Sequence, residues 1–217
     1  MIIEIYKLGE FTMKLWYSTT SPFARKVMAV IKHHQLEDKI EFNRITASFD
    51  ANSPHNQANP LGRIPALQRN CGRWLYGSLL IAEYLDNKGT NTPLLPKEGK
   101  IHWNIFALHN LVDGIAENTM PVVAEKMFRP ENEWWTARHE QVRERNFRSF
   151  QQLEIALQEF GTDLNLGTLT AVCFIDWWLF RAEKMDIDLA KDFPNLTAWA
   201  AEMNGKYGVL RETKPYV

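Results

Sequence analysis

Cysteine and net charge are both scarce in this chain. Only two cysteines occur among the 217 residues, Cys71 in a predicted turn and Cys173 within an apolar run. Two thiols without metal-ligand spacing are too few for a disulfide framework, so we expect a reducing compartment. The 25 basic and 26 acidic residues leave a net charge of -1. Such a balance gives no electrostatic footprint for a nucleic-acid partner or an anionic membrane.

Long apolar runs and a secretory signal are missing as well. No stretch reaches the roughly 18 charge-free apolar residues of a membrane helix, and the N-terminus lacks a basic start and a small-residue cleavage site. We therefore expect a cytoplasmic protein without a membrane partner. What the chain does have is 45% apolar residues, including twelve Phe and eight Trp, which is enough for one large or two small cores.

The first ninety residues read as a mixed α/β unit. Alternating and short apolar runs predict four strands, and two longer periodic segments predict helices. The order is a βαβ unit followed by a ββα unit, with strands at 14–18, 39–45, 65–68 and 73–76 and helices at 22–34 and 78–87. The segment between the second and third strands is predicted to be a polar loop.

A linker follows this unit. Residues 87–96 combine Gly, two Pro and small polar residues. Beyond them, apolar residues recur at helical spacing to the end of the chain, so we predict an all-helical second domain. The predicted division is an N-terminal extension at 1–12, an α/β domain at 13–88 and a helical domain at 89–217.

The Ile64-Pro65 pair is an unusual way to open a strand, because proline cannot donate to a strand ladder. A cis bond at this position would turn the main-chain N–H and C=O of Ile64 outward, free to pair with another extended peptide. An ordinary turn at the start of a strand is the alternative. The cis interpretation predicts a peptide-sized ligand.

Three short motifs share an order and spacing with a known family. They are Ser21-Pro22-Phe23 at a well-marked helix start, residues 59–65, and residues 78–85. They resemble the three glutathione-site motifs of cytosolic glutathione transferases, and the resemblance runs from residue 13 to the C-terminus. It implies a thioredoxin-like N-terminal domain, an all-helical C-terminal domain and glutathione as co-substrate. It also implies a homodimer with a role in detoxification.

The resemblance also implies roles for individual residues. Ser21 would stabilise the glutathione thiolate for attack on a small-molecule electrophile, although it could instead only cap the helix. Thr19 and Thr20 could share or take over this task. Ile64 and Pro65 would hold the cysteinyl backbone, and Ser78 the γ-glutamyl carboxylate.

A serine at the attacking position cannot form a mixed disulfide with glutathione. It therefore favours transferase or peroxidase chemistry over thiol–disulfide exchange.

The chain departs from the family at Gly77, where an acidic residue usually pairs with the γ-glutamyl ammonium. The resemblance still implies that Gly77 is part of the glutathione site. Losing that ion pair could weaken glutathione binding by about 1–3 kcal/mol, unless a carboxylate from elsewhere or from a dimer partner replaces it. Two alternatives to a transferase stay open at this point. One is a glutathione-dependent peroxidase on the same site. The other is a non-catalytic transferase-like interaction protein of the RNA-polymerase-binding type, which Gly77 favours.

Two further patterns lie in the helical half. His109, Asp113 and Glu117 recur every four residues and could ligate a metal or transfer protons, but a solvated or cleft-facing polar stripe is far commoner. We predict no metal. Asn165 is a good N-cap, whereas Thr168 cannot supply the carboxylate that usually completes the cap in this family, so we expect a weaker cap.

Overall fold

The N-terminal part of the chain forms a four-stranded mixed sheet in the computed structural model, which describes residues 12–45 and 52–216. The strands are β1 (Met13–Tyr17), β2 (Ile40–Arg44), β3 (Ala66–Gln68) and β4 (Trp74–Tyr76), in the spatial order β2-β1-β3-β4. β1 and β2 are parallel, whereas β3 is antiparallel to both β1 and β4. The predicted βαβ-ββα order is confirmed.

Helices make up the rest of the described chain. Three accompany the sheet: α1 (Pro22–His33), α2 (Pro54–Ala58) and α3 (Ser78–Asp86). The C-terminal part is helical throughout, with α4 (Lys100–Phe128), α5 (Thr136–Phe160), α6 (Leu166–Phe180), α7 (Leu189–Asp192), α8 (Pro194–Lys206) and α9 (Gly208–Arg211). The fold is thus a thioredoxin-like α/β part followed by an all-helical part, as predicted.

Helix α2 corrects the prediction of a polar loop between the second and third strands. Ser53 is its N-cap and accepts a hydrogen bond from the N–H of Asn56 at 3.3 Å, and Pro54 occupies the first helical turn. Residues 46–51 of the predicted loop lie outside the described residues. So do residues 1–11 of the predicted N-terminal extension.

Helix α1 lies between the two parts of the fold and packs against both α3 and α6. Its apolar stripe of Val27, Val30 and Ile31 is fully buried, which explains why this segment is helical and where it faces. Two charged residues on the same helix, Arg25 and Lys26, are also buried. Buried cations need partners, and α1 finds them in the helical part.

Arg25 connects α1 with α6 and with the C-terminal end of the fold. Its guanidinium donates to the carboxylate of Asp176 at 2.8 Å and to the main-chain oxygen of Leu210 at 2.9 Å. Only 3% of the Arg25 side chain and 10% of the Asp176 side chain are exposed. Removing either partner would leave the other charge buried without its counterion.

Asp86, the last residue of α3, fixes the linker. Its two carboxylate oxygens accept the N–H groups of Leu94 at 2.8 Å and Leu95 at 3.0 Å, and one of them also bonds the ring of His34 at 2.7 Å. The carbonyl of Leu94 in turn accepts the N–H of Leu166 at 2.9 Å. The linker is therefore tied to α3 on one side and to the start of α6 on the other.

The start of α6 carries a complete reciprocal cap. The side chain of Asn165 accepts the N–H of Thr168 at 3.0 Å, and the hydroxyl of Thr168 accepts the N–H of Asn165 at 3.0 Å. A threonine hydroxyl thus does here what a carboxylate does in the usual pair. That this cap is weaker than the usual one stays a prediction.

In the described part of the chain, every helix is too short or too polar to cross a membrane.

Candidate active site

Ser21 stands at the N-cap of α1, directly after the turn that follows β1. Its Oγ accepts the N–H of Ala24 at 3.2 Å, and its backbone is extended, as an N-cap requires. This bond uses a lone pair of the hydroxyl and leaves its hydrogen available to donate. Thr19 and Thr20 form the preceding turn and are half-buried. Three hydroxyls are therefore grouped at the positive end of α1.

The Ile64-Pro65 peptide bond is cis, as the sequence predicted. Within the described residues, the main-chain N–H and C=O of Ile64 have no hydrogen-bond partner. Asn59 shapes the loop before it: its side chain donates to the carbonyl of Arg63 at 2.6 Å and accepts the N–H of Leu61 at 3.0 Å. Because Asn59 is only 1% exposed, this loop is held from inside the protein.

Ser78 opens α3, and its N-cap is Gly77. The cap offers no side-chain acceptor, so the first N–H groups of α3 are not capped. Unpaired amides and the helix dipole together make such an N-terminus suitable for an anion. Gly77 has φ 86° and ψ 133° and no side chain to add a charge.

The strand register places these features at one edge of the sheet. Ala66 pairs with Trp16 of β1 on one side and with Tyr76 of β4 on the other. Because β3 runs antiparallel to both β1 and β4, Ile64, two residues before Ala66, extends between the turn after β1 and the start of α3. The hydroxyl of Ser21, the peptide groups of Ile64 and the start of α3 therefore lie at the same edge of the sheet.

A buried lysine reaches this edge from beneath. The ammonium of Lys26 lies 3.1 Å from Ser78 Oγ, 2.7 Å from His109 Nε2 and 2.8 Å from Asp113 Oδ1. An ammonium has three N–H donors, and here they meet three acceptors. We call these four residues the Lys26 cluster. It connects α1 and α3 with α4.

Burial sets the protonation of the cluster. Desolvation lowers the pKa of Lys26 below its usual value, and the nearby Asp113 carboxylate opposes that change. Burial and then the Lys26 charge lower the pKa of His109 to about 4. The imidazole is therefore neutral near pH 7, and its Nε2 accepts a hydrogen bond from the ammonium.

The polar stripe predicted on α4 is divided between two environments. His109 is 1% exposed and the Asp113 side chain 23% exposed, and both face Lys26, whereas Glu117 is exposed. The prediction of a solvated or cleft-facing stripe is thus wrong for His109.

Among the described residues, no three His, Cys, Asp or Glu side chains are grouped closely enough to hold a metal ion.

Sequence reasoning missed Lys26. A signal was available, because Lys26 follows Phe23 by three residues and precedes Val30 by four, which puts it on the apolar stripe of α1. A lysine on a buried stripe requires a polar partner from another element. The partner itself could not be found from spacing along the chain.

Comparisons with known proteins agree with the fold. The family model for the N-terminal domain of glutathione S-transferases matches residues 20–88. A GST-like protein of Escherichia coli (strain K12), YibF, which is uncharacterised, is 31% identical over 173 residues, or 78% of this chain and 83% of its own. The chain belongs to the glutathione S-transferase family.

Solved structures are similar over nearly the whole chain. A glutathione transferase family member from Pseudomonas fluorescens Pf-5, solved with bound glutathione, superposes with a TM-score of 0.86 and 29% identity. The match covers 95% of this chain and 100% of that one. A glutathione S-transferase from Methylobacillus flagellatus KT, also with glutathione bound, gives a TM-score of 0.83 and 26% identity over 94% of this chain and 100% of that one.

Proposed function

We propose that this protein is a glutathione transferase that binds glutathione in a cleft at this edge of the sheet and directs its thiolate at a small-molecule electrophile. The observation that carries the proposal is the register that brings the free peptide groups of Ile64 between two helix N-termini. The similar structures that were solved with glutathione support the choice of ligand.

Each part of glutathione has a counterpart in the cleft. The cysteinyl main chain pairs with the N–H and C=O of Ile64 in the manner of an added strand, next to Pro65. The γ-glutamyl carboxylate accepts from the N–H and hydroxyl of Ser78 at the start of α3. In that orientation the thiol approaches the N-terminus of α1, where Ser21 lies.

Ser21 is the group that we propose for stabilising the thiolate. Lowering a thiol pKa by about two units requires roughly 2.7 kcal/mol of preference for the charged form. A helix N-terminus supplies about 0.3–1 kcal/mol, and a hydroxyl donating to a charged sulfur supplies roughly 1.5–3 kcal/mol. The free hydrogen of the Ser21 hydroxyl is therefore needed in addition to the dipole of α1. Thr19 and Thr20 are the alternative donors.

The first prediction concerns Ser21→Ala. We expect the thiol pKa of bound glutathione to rise by about one unit or more because the variant removes the hydroxyl donor. Ultraviolet absorbance of the thiolate followed against pH measures this pKa, and calorimetry measures glutathione affinity.

Ser53→Ala is the matched control, since it removes the equivalent Ser-Pro N-cap of α2 and should leave the thiol pKa unchanged. A thiol pKa indifferent to Ser21 would refute its role. Thr19→Ala and Thr20→Ala would then test the remaining hydroxyls. No glutathione binding by the wild type at millimolar concentration would refute the proposed function itself.

A non-catalytic interaction protein of the RNA-polymerase-binding type is the second candidate, and Gly77 is the observation that favours it. Partner capture together with absent glutathione affinity would support it. A glutathione-dependent peroxidase would use the same thiolate, and glutathione oxidation coupled to peroxide consumption separates it from the transferase.

The cellular location, the oligomeric state and the domain boundaries are proposed as well. We propose a cytoplasmic homodimer with an α/β domain at 13–88 and a helical domain at 89–217. Light scattering on the purified protein measures the number of chains. Limited proteolysis tests whether the chain is cut near residue 90.

A further inference from the structure

The Lys26 cluster orients the hydroxyl hydrogen of Ser78. A serine hydroxyl has one hydrogen and two lone pairs. The Lys26 ammonium, on the protein side, donates a hydrogen bond to one of these lone pairs, with its Nζ 3.1 Å from Ser78 Oγ. The hydroxyl hydrogen must then face another acceptor, and an ammonium donating to the oxygen also makes the hydroxyl a stronger donor. Ser78 is thereby set to donate towards the open start of α3.

The charged group in direct contact with Ser78 is a cation, which favours an anionic ligand over a cationic one. Lys26 is 1% exposed, so little water screens its charge. His109 is neutral, as its low pKa shows. Asp113 bonds Lys26 at 2.8 Å and not Ser78, and Glu117 acts on Lys26 only through its charge. Gly77 adds no side chain beside the ligand's γ-glutamyl end.

We propose that this site recognises the γ-glutamyl end of its ligand through the carboxylate alone, with Lys26 as a positioning residue that acts through Ser78. The ligand class is therefore thiol peptides with a carboxylate at this end, whether or not they also carry the α-amino group. This inference rests on the proposed glutathione function and narrows what that function selects.

The first test compares two ligands on the wild-type protein. Calorimetry with glutathione and with glutaryl-cysteinyl-glycine, which is glutathione without its amino group, should give dissociation constants within about threefold of each other. If the deaminated peptide binds more than about tenfold more weakly, carboxylate-only recognition is wrong while the proposed function stands. If neither peptide binds at millimolar concentration, both proposals are wrong.

The role of Lys26 needs a variant that leaves no lone buried charge. Lys26→Met combined with Asp113→Asn removes both members of the ion pair together. We expect the affinity of this double variant for glutathione to be at least about tenfold lower than that of the wild type. A glutathione analogue whose γ-glutamyl carboxylate is replaced by an amide should bind the wild type and the variant with the same affinity. Equal losses for the acid and the amide would show a merely structural role and refute the proposal.

A second pair of variants keeps the test decisive if the double variant does not fold. Gly77→Glu and Gly77→Gln place similar side chains on the same backbone, and only the first supplies a carboxylate for the amino group. The selectivity is the affinity for glutathione divided by the affinity for the deaminated peptide. We expect this ratio to be about tenfold higher in the Glu variant than in the Gln variant. The same selectivity in both variants would contradict recognition by the carboxylate alone.

Discussion

Gly77 is a residue whose backbone matters as much as its missing side chain. Its φ of 86° and ψ of 133° lie in a region that L residues rarely adopt. A Cβ built there has no atom within 4 Å. A side chain at this position would therefore have space, and its cost would come from the backbone conformation.

We predict that Gly77→Ala lowers the free energy of unfolding by about 1–3 kcal/mol, because alanine must adopt this strained conformation. Urea unfolding measures the change. Gly114→Ala is the control: that Cβ also meets open space, but Gly114 lies inside α4, where alanine should be neutral or stabilise by up to about 1 kcal/mol. Similar effects at the two positions would contradict the backbone explanation.

Individual site residues differ in how far the sequence could predict them. Ser21, Ile64 and Ser78 lie in short contiguous motifs, and the cis bond before Pro65 has a local signature. Lys26 has no such signature because its partners His109 and Asp113 are 83 and 87 residues away along the chain. Contacts at that separation depend on how α1 packs against α4, which no local pattern contains.

At the scale of elements, the end of α3 and the linker behave as one unit. The carboxylate of Asp86 accepts two buried main-chain N–H groups of the linker, those of Leu94 and Leu95, and also bonds the ring of His34. Proline and glycine in residues 87–96 mark the linker, but they do not show that it is fixed. One aspartate on the preceding helix fixes two of its residues, and further bonds join it to α1 and to the start of α6.

We predict that Asp86→Ala lowers the free energy of unfolding by about 2–5 kcal/mol, because each buried N–H left without an acceptor costs about 1–3 kcal/mol. Chemical unfolding monitored by circular dichroism measures the change. Asn87→Ala, which removes an exposed hydrogen bond from the next residue, should cost less than about 1 kcal/mol. A loss at Asp86 no larger than that at Asn87 would count against this account of the linker.

Element length decided which helices the sequence revealed. Helix α1 is 12 residues long and combines an N-cap, a first-turn proline and an apolar stripe, so several signals agree. Helix α2 has five residues, of which only His55 is buried, and so it is too short to show an apolar period. Its single sequence signal is the Ser53-Pro54 pair, which also occurs as Ser21-Pro22.

Across the whole molecule, two consecutive cations on α1 hold the α/β part to the helical part. Arg25 reaches α6 and the C-terminal end, and Lys26 reaches α4. Separating the two parts would expose a buried ion pair at each residue. We therefore expect the two parts to unfold together, and their shared interface to respond to pH.

We predict that stability falls as the pH is lowered from about 6.5 to about 4, in part through His109. The pKa of His109 is about 4 in the folded protein and near 6.5 when unfolded. Between these values the unfolded state binds more protons, so the free energy of unfolding decreases by on the order of 3 kcal/mol. Denaturant unfolding at several pH values measures this slope.

His109→Gln should flatten that slope, because glutamine keeps an acceptor for Lys26 but does not titrate. Leu111→Met, a conservative change of a non-titrating residue on the same helix, is the control and should leave the slope as in the wild type. An unchanged slope in the His109 variant would show that other groups cause the acid sensitivity.

The Lys26 cluster limits how freely the halves of this protein can be recombined. A chimera that joins the first 88 residues to the helical half of a relative would keep Lys26 but receive whatever that relative's α4 carries in place of His109 and Asp113. Without those acceptors, the ammonium would retain only Ser78, the residue proposed to hold the ligand. The two halves therefore cannot be exchanged independently, and a recombinant protein would need both α4 residues transferred along with the α/β half.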